Sequence, residues 1–278
     1  MSFISSEGLN IALGKNSRAD HIHKFGYSKT IAGDERTIWM LDALYPWDAW
    51  LDGNGDEEAK TVTVRSDTSS EPLKIITIQG LGPDWEPQEE DITLDRLGGT
   101  TADFVQTTKT WRRVFRAFVK YTDKNTTVTA RQAAATTGDI QIYINWTDWS
   151  NPGDLIATNF KGGNNEIFGQ TQMAIFTIPE GYIGLLTGLN ASCGVDKSAN
   201  VQLYTRAFGS NAMLCKEIFE VSSTKAVIDY DPPRVIPAKT DIEVRAFRNS
   251  GSSTISVSAS FDLLLLKQDL ASQGSLGF

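Results

Sequence analysis

A two-residue alternation of apolar and polar side chains recurs along this chain and limits the fold more than any other feature. Near its end, every second residue is apolar: Ile255, Val257, Ala259, Phe261, Leu263 and Leu265. This period of two places one face of a strand against a core and the other in water, whereas a helix would spread the same residues around its circumference. The pattern returns in residues 61–65, 140–145 and 241–246.

Further strands are predicted where apolar and β-branched residues cluster between turns rich in Gly, Pro and Asn. They are 73–79, 91–94, 172–178, 183–189, 201–207 and 215–221. Many short strands at near-regular spacing indicate an all-β protein with antiparallel β-sandwich or jelly-roll domains. Residues 109–121 fit both a helix and a strand, and their neighbours favour the strand.

The Gly- and Asn-rich stretch 151–170 separates two strand-rich halves and predicts a domain junction. We expect an extended N-terminal arm at 1–35, one β-sandwich domain at 36–160 and a second at 161–278. The arm is polar and lacks a clean periodicity. Such a segment is either disordered or ordered against a neighbouring subunit.

The charge balance argues against nucleic acid and anionic membranes as partners. Lys and Arg number 26 and Asp and Glu 34, which gives a net charge of −8. No apolar run approaches the roughly 18 residues of a membrane-spanning helix, and the start of the sequence does not resemble a secretory signal. We therefore expect Cys193 and Cys215 to stay reduced in a cytoplasm, with a disulfide between them as the alternative.

Residues suited to catalysis or metal binding are scarce. His21 and His23 are the only histidines, and both precede the first clear strand, so solvated or interfacial roles are expected. They could clamp a metal across one strand face, but no further ligand lies nearby in the sequence. We predict no catalytic residue, no metal site and no cofactor.

Two acidic loops suggest chemistry but are better explained as hydrated turns. Residues 52–56 space their oxygens like a calcium loop, yet Thr63 stands where a bidentate carboxylate is needed and Glu57 stands at the glycine position. Residues 84–91 hold several carboxylates, which leaves as an alternative a glycan hydrolase that uses them, to be tested at Glu86 and Glu89.

The basic, aromatic segment 109–120 and the loop tryptophans leave several roles open. The segment suits a single-strand nucleic-acid groove, an acidic protein partner or ordinary sheet packing, and the net charge disfavours the first. Trp47, Trp50, Trp146 and Trp149 lie in loop-like segments. Such rings serve in core packing, at subunit interfaces or against sugar rings.

Several segments stand out in order along the chain: 23–27 with 38–39, 62–66, 76–81 with 91–94, 176–182, and 236–246 followed by the strand 256–265. Together they resemble a family of virion structural proteins of tailed phages, especially marine ones. The resemblance spans nearly the whole chain, and its motifs are β-strand signatures that carry no chemistry.

The resemblance implies a non-enzymatic capsid decoration or vertex-associated protein. A tail or fibre component and a glycan-binding module that recognises the host surface are the alternatives. Implied partners are the major capsid protein or other virion proteins and further copies of this chain, in a virion assembled in the host cytoplasm. We predict assembly contacts from loop placement and from the segment around 23–27, through His23, Phe25, Tyr27, Trp47, Trp50, Trp146 and Trp149.

Overall fold

The protein is all-β, and the strand pairs among the residues that the structure describes are antiparallel, which confirms the predicted fold class. The structure is a computed structural model that describes residues 10–11, 13–67, 74–94, 104–120, 139–147, 153–159, 169–222, 225–249, 251 and 253–268. None of the helices in these ranges has the length and hydropathy needed to cross a membrane.

In the described ranges, sixteen strands and one short 3-10 helix, Trp47–Trp50, follow one another. The strands are β1 (Ala19–Ile31), β2 (Arg36–Thr37), β3 (Val62–Ser66), β4 (Lys74–Leu81), β5 (Pro87–Leu94), β6 (Phe104–Gln106), β7 (Arg113–Lys120), β8 (Ile140–Ile144), β9 (Asp154–Asn159), β10 (Ile175–Thr177), β11 (Tyr182–Cys193), β12 (Ser198–Arg206), β13 (Leu214–Ser222), β14 (Ala226–Ile236), β15 (Asp241–Arg248) and β16 (Ile255–Lys267).

The chain divides into two compact units, and the second is inserted into the first. Unit 1 consists of Met1–Ile38 and Ala174–Phe278, and unit 2 is Trp39–Met173. This division differs from the expected ranges 1–35, 36–160 and 161–278, because β1 pairs with β16 along the sheet from Ala19↔Leu266 to Ile31↔Ile255. Residues 19–31 are therefore a strand of unit 1 rather than an extended arm.

Unit 1 contains two sheets. The first has the strand order β1-β16-β11-β14, and in the second β10-β15-β12-β13 are joined by β2, which pairs with β15. The alternation read from the sequence places one face of these strands in the core. Its fully buried side chains include Leu186, Leu189, Val201, Leu203, Ile242, Val244, Phe261 and Leu263.

The chain leaves unit 1 and returns to it at adjacent backbone positions. The Ala174 amide donates to the Ile38 carbonyl at 3.0 Å, and the Ile38 amide donates to Val244 at 2.9 Å. Gly26 of β1 passes directly over this point, where an added Cβ would lie 2.1 Å from the Ile38 oxygen. Only a glycine permits this close approach of backbones.

Unit 2 also contains two sheets, ordered β6-β3-β8-β9 and β5-β4-β7. The ambiguous segment 109–121 contributes β7, so the strand interpretation is the correct one. Two of its basic side chains bond to neighbouring segments: Lys120 to Asp91, and Arg116 to Gln170 at 3.0 Å. This part of the basic segment therefore takes part in ordinary sheet packing.

Candidate assembly surfaces

Trp47 and Trp50, predicted as interface residues, lie in the core of unit 2. Their exposed fractions are 6% and 0%. Trp50 Nε1 donates to the Tyr45 hydroxyl at 3.2 Å, and the Tyr45 ring packs edge-on against Trp47 with centroids 4.6 Å apart. The prediction that these rings contact a neighbouring subunit is therefore wrong, and neither ring is available to stack on a sugar.

A buried arginine holds this aromatic cluster together. Arg113 is 2% exposed, and its guanidinium binds the two carboxylate oxygens of Glu57 at 2.7 Å each. The same group lies 5.5 Å from the Trp47 ring, 5.9 Å from Trp50 and 5.2 Å from Trp85. The pair explains why a charged residue interrupts the apolar face of β7 and why Glu57 occurs in a loop that otherwise looks solvated.

The loop at 52–56 uses its first carboxylate to close a turn. Asp52 Oδ1 accepts the Asn54 amide at 2.8 Å and the Asp56 amide at 2.9 Å. These two backbone donors hold the pKa of Asp52 below its usual value. Among the residues that the structure describes, no group of three or more His, Cys, Asp and Glu could hold a metal ion.

The carboxylates at 84–91 tie neighbouring strands together. Glu90 accepts the amides of Thr108 at 2.8 Å and Lys109 at 3.0 Å. Asp91 accepts the Thr77 hydroxyl at 2.7 Å, and its bond to Lys120 holds its pKa below the usual value. A glycosidic general acid needs a raised pKa, so the lowered pKa makes Asp91 unsuited to that role. The alternative through Glu86 and Glu89 stays a prediction.

His23, Phe25 and Tyr27 share the outer face of β1. Phe25 is 37% exposed, and its ring lies 6.2 Å from that of His23. His23 Nδ1 lies 2.8 Å from an oxygen of Asp262 on β16, and His21 Nε2 lies 3.3 Å from the same oxygen. The role of these residues in assembly stays a prediction. The contact with Asp262 could not be predicted from the sequence, because Asp262 lies 239 residues after His23.

The other two predicted tryptophans have different outcomes. Trp146 is half-buried in unit 2, where its ring lies 5.3 Å from Tyr143, 5.4 Å from Phe104 and 5.6 Å from the Arg65 guanidinium. Phe104 is 47% exposed, so part of this cluster faces solvent. Trp146 stays a predicted contact residue, and Trp149 lies outside the described residues.

Exposed apolar side chains of unit 1 lie on β13, which the sequence predicts at 215–221, and on β14, which the sequence did not predict as a strand. β13 ends one sheet and β14 ends the other, so the sandwich is open between them. Four of their apolar side chains are more than half exposed: Leu214 at 53%, Ile218 at 53%, Val227 at 54% and Val235 at 62%. We call these four side chains and their two strands the open-edge surface.

One of these two edges is partly protected against further strand pairing. Between Asp229, which pairs with Gly188, and Arg234, which pairs with Leu186, β14 bulges and contains Pro232 and Pro233. Proline cannot donate to a sheet ladder and is confined to edges and bulges. The two prolines were therefore the sequence signal that β14 is an edge strand.

Arg234 connects the two edge strands across the open side of the sandwich. Its Nη1 donates to the Lys216 carbonyl at 2.9 Å, and its Nη2 binds the Glu217 carboxylate. The guanidinium also lies 4.6 Å from the centre of the Tyr230 ring. Burial of that ring raises the pKa of Tyr230. These contacts fix β13 and β14 relative to each other while their apolar side chains remain exposed.

The comparisons with known proteins do not assign the chain to a family. No family model and no curated protein matches the chain. Among solved structures, it resembles infectious bursal disease virus of the Gt strain at 12% identity, covering 91% of this chain and 73% of that one, with a TM-score of 0.27.

Two further solved structures give the same level of likeness. The T13 particle of the same virus matches at 10% identity and a TM-score of 0.27, covering 90% of this chain and 70% of that one. Its VP2 subviral particle matches at 11% identity and a TM-score of 0.24, covering 91% and 72%. These scores are too low to establish a shared fold, and no conclusion on function rests on them.

Proposed function

We propose that this chain is a non-enzymatic structural protein of a virion, assembled through complementary surfaces as a decoration or vertex-associated protein of a tailed-phage capsid. The observation that carries the proposal is the open-edge surface. The choice of a tailed-phage particle rests on the sequence resemblance alone. The major capsid protein, other virion proteins and further copies of the chain are its proposed partners.

The open-edge surface has the character of a protein interface. Soluble monomers rarely expose contiguous apolar patches unless the patches are functional, and open sheet edges invite pairing with other chains. Ile218, Val227 and Val235 present apolar side chains on strands that pair on one side only. Burial of this surface against a partner would remove both liabilities at once.

Its dimensions fit a stable contact. β13 has 9 residues and β14 has 11, which at about 3.3 Å per residue gives a surface roughly 30–36 Å long. Stable interfaces bury about 800 Å² on each partner, so a contact along these two edge strands would include neighbouring surface as well. Symmetric copies would repeat the contact around a particle.

The test replaces two apolar side chains of the open-edge surface by charges. The double variant Ile218→Lys, Val227→Lys should reduce incorporation into particles at least tenfold, because each lysine would have to be desolvated in the contact. Incorporation is measured by quantitative gel densitometry of purified particles. Circular dichroism of the isolated variant checks that the fold is retained.

The matched control is Leu44→Lys, Val195→Lys, which makes the same change at two exposed apolar residues outside the open-edge surface. It should be incorporated like the wild type. Equal incorporation of both double variants would contradict the proposal. Densitometry of wild-type particles also separates the finer alternatives, since on the order of hundreds of copies fits decoration and about a dozen or fewer fits a vertex, tail or fibre.

A further inference from the structure

The outward face of the first sheet of unit 1 changes from polar to apolar part-way along its strands. On β16, the outward residues between 256 and 262 are polar, and the next two outward residues are leucines. The residues that pair with these leucines on β11, and the next one across on β14, are apolar as well. The five side chains, which we call the outer apolar patch, are Leu264 and Leu266 of β16, Ile183 and Leu185 of β11, and Val235 of β14.

The outer apolar patch has the pattern of a sheet that is covered on both faces. Leu263 and Leu265 lie in the core at 0% and 4% exposed, whereas Leu266 is 36% exposed on the other face. An antiparallel strand with one face in water keeps its polar outward residues. The other half of the face does so, and there Ser192 and Ser258 are hydrogen-bonded at 2.7 Å. The patch is therefore the part of this face that is suited to burial against a partner.

Charges of opposite sign flank the outer apolar patch along the strands. At one end, Asp262 and Asp229 lie in one row across the sheet, separated by Gly188, which pairs with both. At the other end, β16 ends at Lys267, whose amide donates to the Arg18 carbonyl at 2.8 Å. Five residues separate the acidic row from Lys267 along β16, a distance of about 16 Å. The face thus has an acidic end, an apolar middle and a basic end.

We propose that the outer apolar patch binds a second copy of this chain in a two-fold, face-to-face contact. A two-fold axis that lies across the strands near Leu264 turns them end to end, so the basic end of each copy covers the acidic end of the other. Such self-complementarity is what a two-fold interface requires. The proposal rests on the proposed assembly role, in which further copies are partners, and it extends the open-edge surface from their shared residue, Val235.

The size of the outer apolar patch sets the expected strength of the contact. Four strands at a spacing of about 4.8 Å and six residues at about 3.3 Å each give a projected area of roughly 300 Å². Stable interfaces bury about 800 Å² on each partner. We therefore expect the isolated chain to form a weak dimer, which the repeated contacts of a particle would strengthen.

Sedimentation equilibrium of the isolated full-length chain tests for the second copy. The weight-average mass should rise from the 30.5 kDa of one chain towards twice that value between about 10 and 500 µM. The mass of a single chain at each concentration, as expected if a different protein covers the patch, would overturn the proposal. It would leave the proposed function standing, because that function is tested by incorporation into particles.

Three variants locate the contact. Leu264→Lys should weaken dimerisation at least tenfold, because the lysines of the two copies would meet near the axis and lose water. Ser260→Lys adds the same charge on the polar half of the same strand and should dimerise like the wild type, as should Ile218→Lys in the open-edge surface. Circular dichroism checks that each variant is folded. Loss in Ile218→Lys but not in Leu264→Lys would place self-association at the open-edge surface and overturn the proposal.

A charge exchange tests the two-fold arrangement itself. Lys267→Glu and Asp262→Lys should each weaken dimerisation severalfold, because each brings like charges together between the copies. The double variant restores opposite charges across the axis and should dimerise more tightly than either single variant. Additive losses in the double variant would show that the two ends do not meet and would overturn the proposed arrangement.

Discussion

The buried pair of Arg113 and Glu57 sets the stability of unit 2 at the scale of single residues. Removal of one member of a buried pair leaves the other charge uncompensated. We predict that Glu57→Gln lowers the free energy of unfolding by about 3 kcal/mol. Urea unfolding followed by tryptophan fluorescence measures this loss in unit 2 alone, because all seven tryptophans lie within residues 39–149.

Glu58→Gln is the control for this prediction. Glu58 is the adjacent carboxylate, its side chain is 53% exposed, and it lies 3.6 Å from the Lys60 ammonium. An exposed pair contributes about 0–1 kcal/mol, so the unfolding transition should barely move. Similar losses in the two variants would mean that burial does not distinguish the two pairs.

Tyr204 should be recognisable by its titration. Burial and the hydrogen bond from its hydroxyl to Glu35, at 2.7 Å, raise its pKa to about 12. In difference spectra between the wild type and Tyr204→Phe, phenolate absorbance should be missing near pH 10 and appear towards pH 12. An ordinary phenol titrating near pH 10 would contradict the assigned contact.

The same shift fixes the direction of a stability change. The folded state keeps the Tyr204 proton after the unfolded state has lost it near pH 10, so its contribution is fully present below that pH. The contribution is lost as the pH rises through about 12. The free energy of unfolding should therefore fall more steeply with pH in the wild type than in Tyr204→Phe over this window.

At the scale of elements, Gly26 is where β1 must approach the other sheet. Gly26→Ala would place a Cβ 2.1 Å from the Ile38 oxygen and 2.4 Å from the Ala174 nitrogen, and neither backbone atom can move aside cheaply. We predict a loss of at least about 2 kcal/mol in the unfolding of unit 1, followed by circular dichroism. Gly33→Ala, whose nearest heavy atom would lie 3.7 Å away, should have little effect.

Strand positions could be predicted because the alternation is local. Residues 255–263 alternate strictly and lie in β16, and residues 140–144 form β8. Side-chain partners could not be predicted in the same way. Trp47 looked exposed because it lies in a loop-like segment, yet β7 brings Arg113 to its ring from 66 positions later in the chain. Burial of a loop residue depends on such distant contacts.

The candidate surface was harder to predict than the strands. Ile218 and Val227 are apolar residues at exposed positions of the two end strands, β13 and β14. Strand order is a property of the whole fold. Pro232 and Pro233 were a usable edge signal for β14, but β13 carries no comparable mark in its sequence.

At the scale of the whole molecule, the insertion of unit 2 explains why the predicted domain boundaries and the observed units differ. A junction was expected at 151–170, whereas the chain crosses between units at Ile38 and Ala174. A sequence read in order cannot show that its first and last strands pair. β1 and β16 do pair, so the two chain segments that flank unit 2 in the sequence belong to the same sheet of unit 1.

This arrangement predicts that unit 1 folds without unit 2. The Ala174 amide and the Ile38 carbonyl are already hydrogen-bonded at 3.0 Å, so a short Gly-Ser linker can replace residues 39–173. The shortened chain should give a β-sheet circular dichroism spectrum and a cooperative thermal transition. A spectrum of an unfolded chain would show that unit 1 depends on the insertion.

Hydrogen exchange read by mass spectrometry, on the free chain and on particles that contain it, tests the account most directly. If β13 and β14 form the contact, their amides should exchange rapidly in the free chain and become protected in the particle. Amides of β3 and β8 in the interior of unit 2 should exchange alike in both. Protection confined to other segments, with β13 and β14 equally fast in both states, would contradict the account.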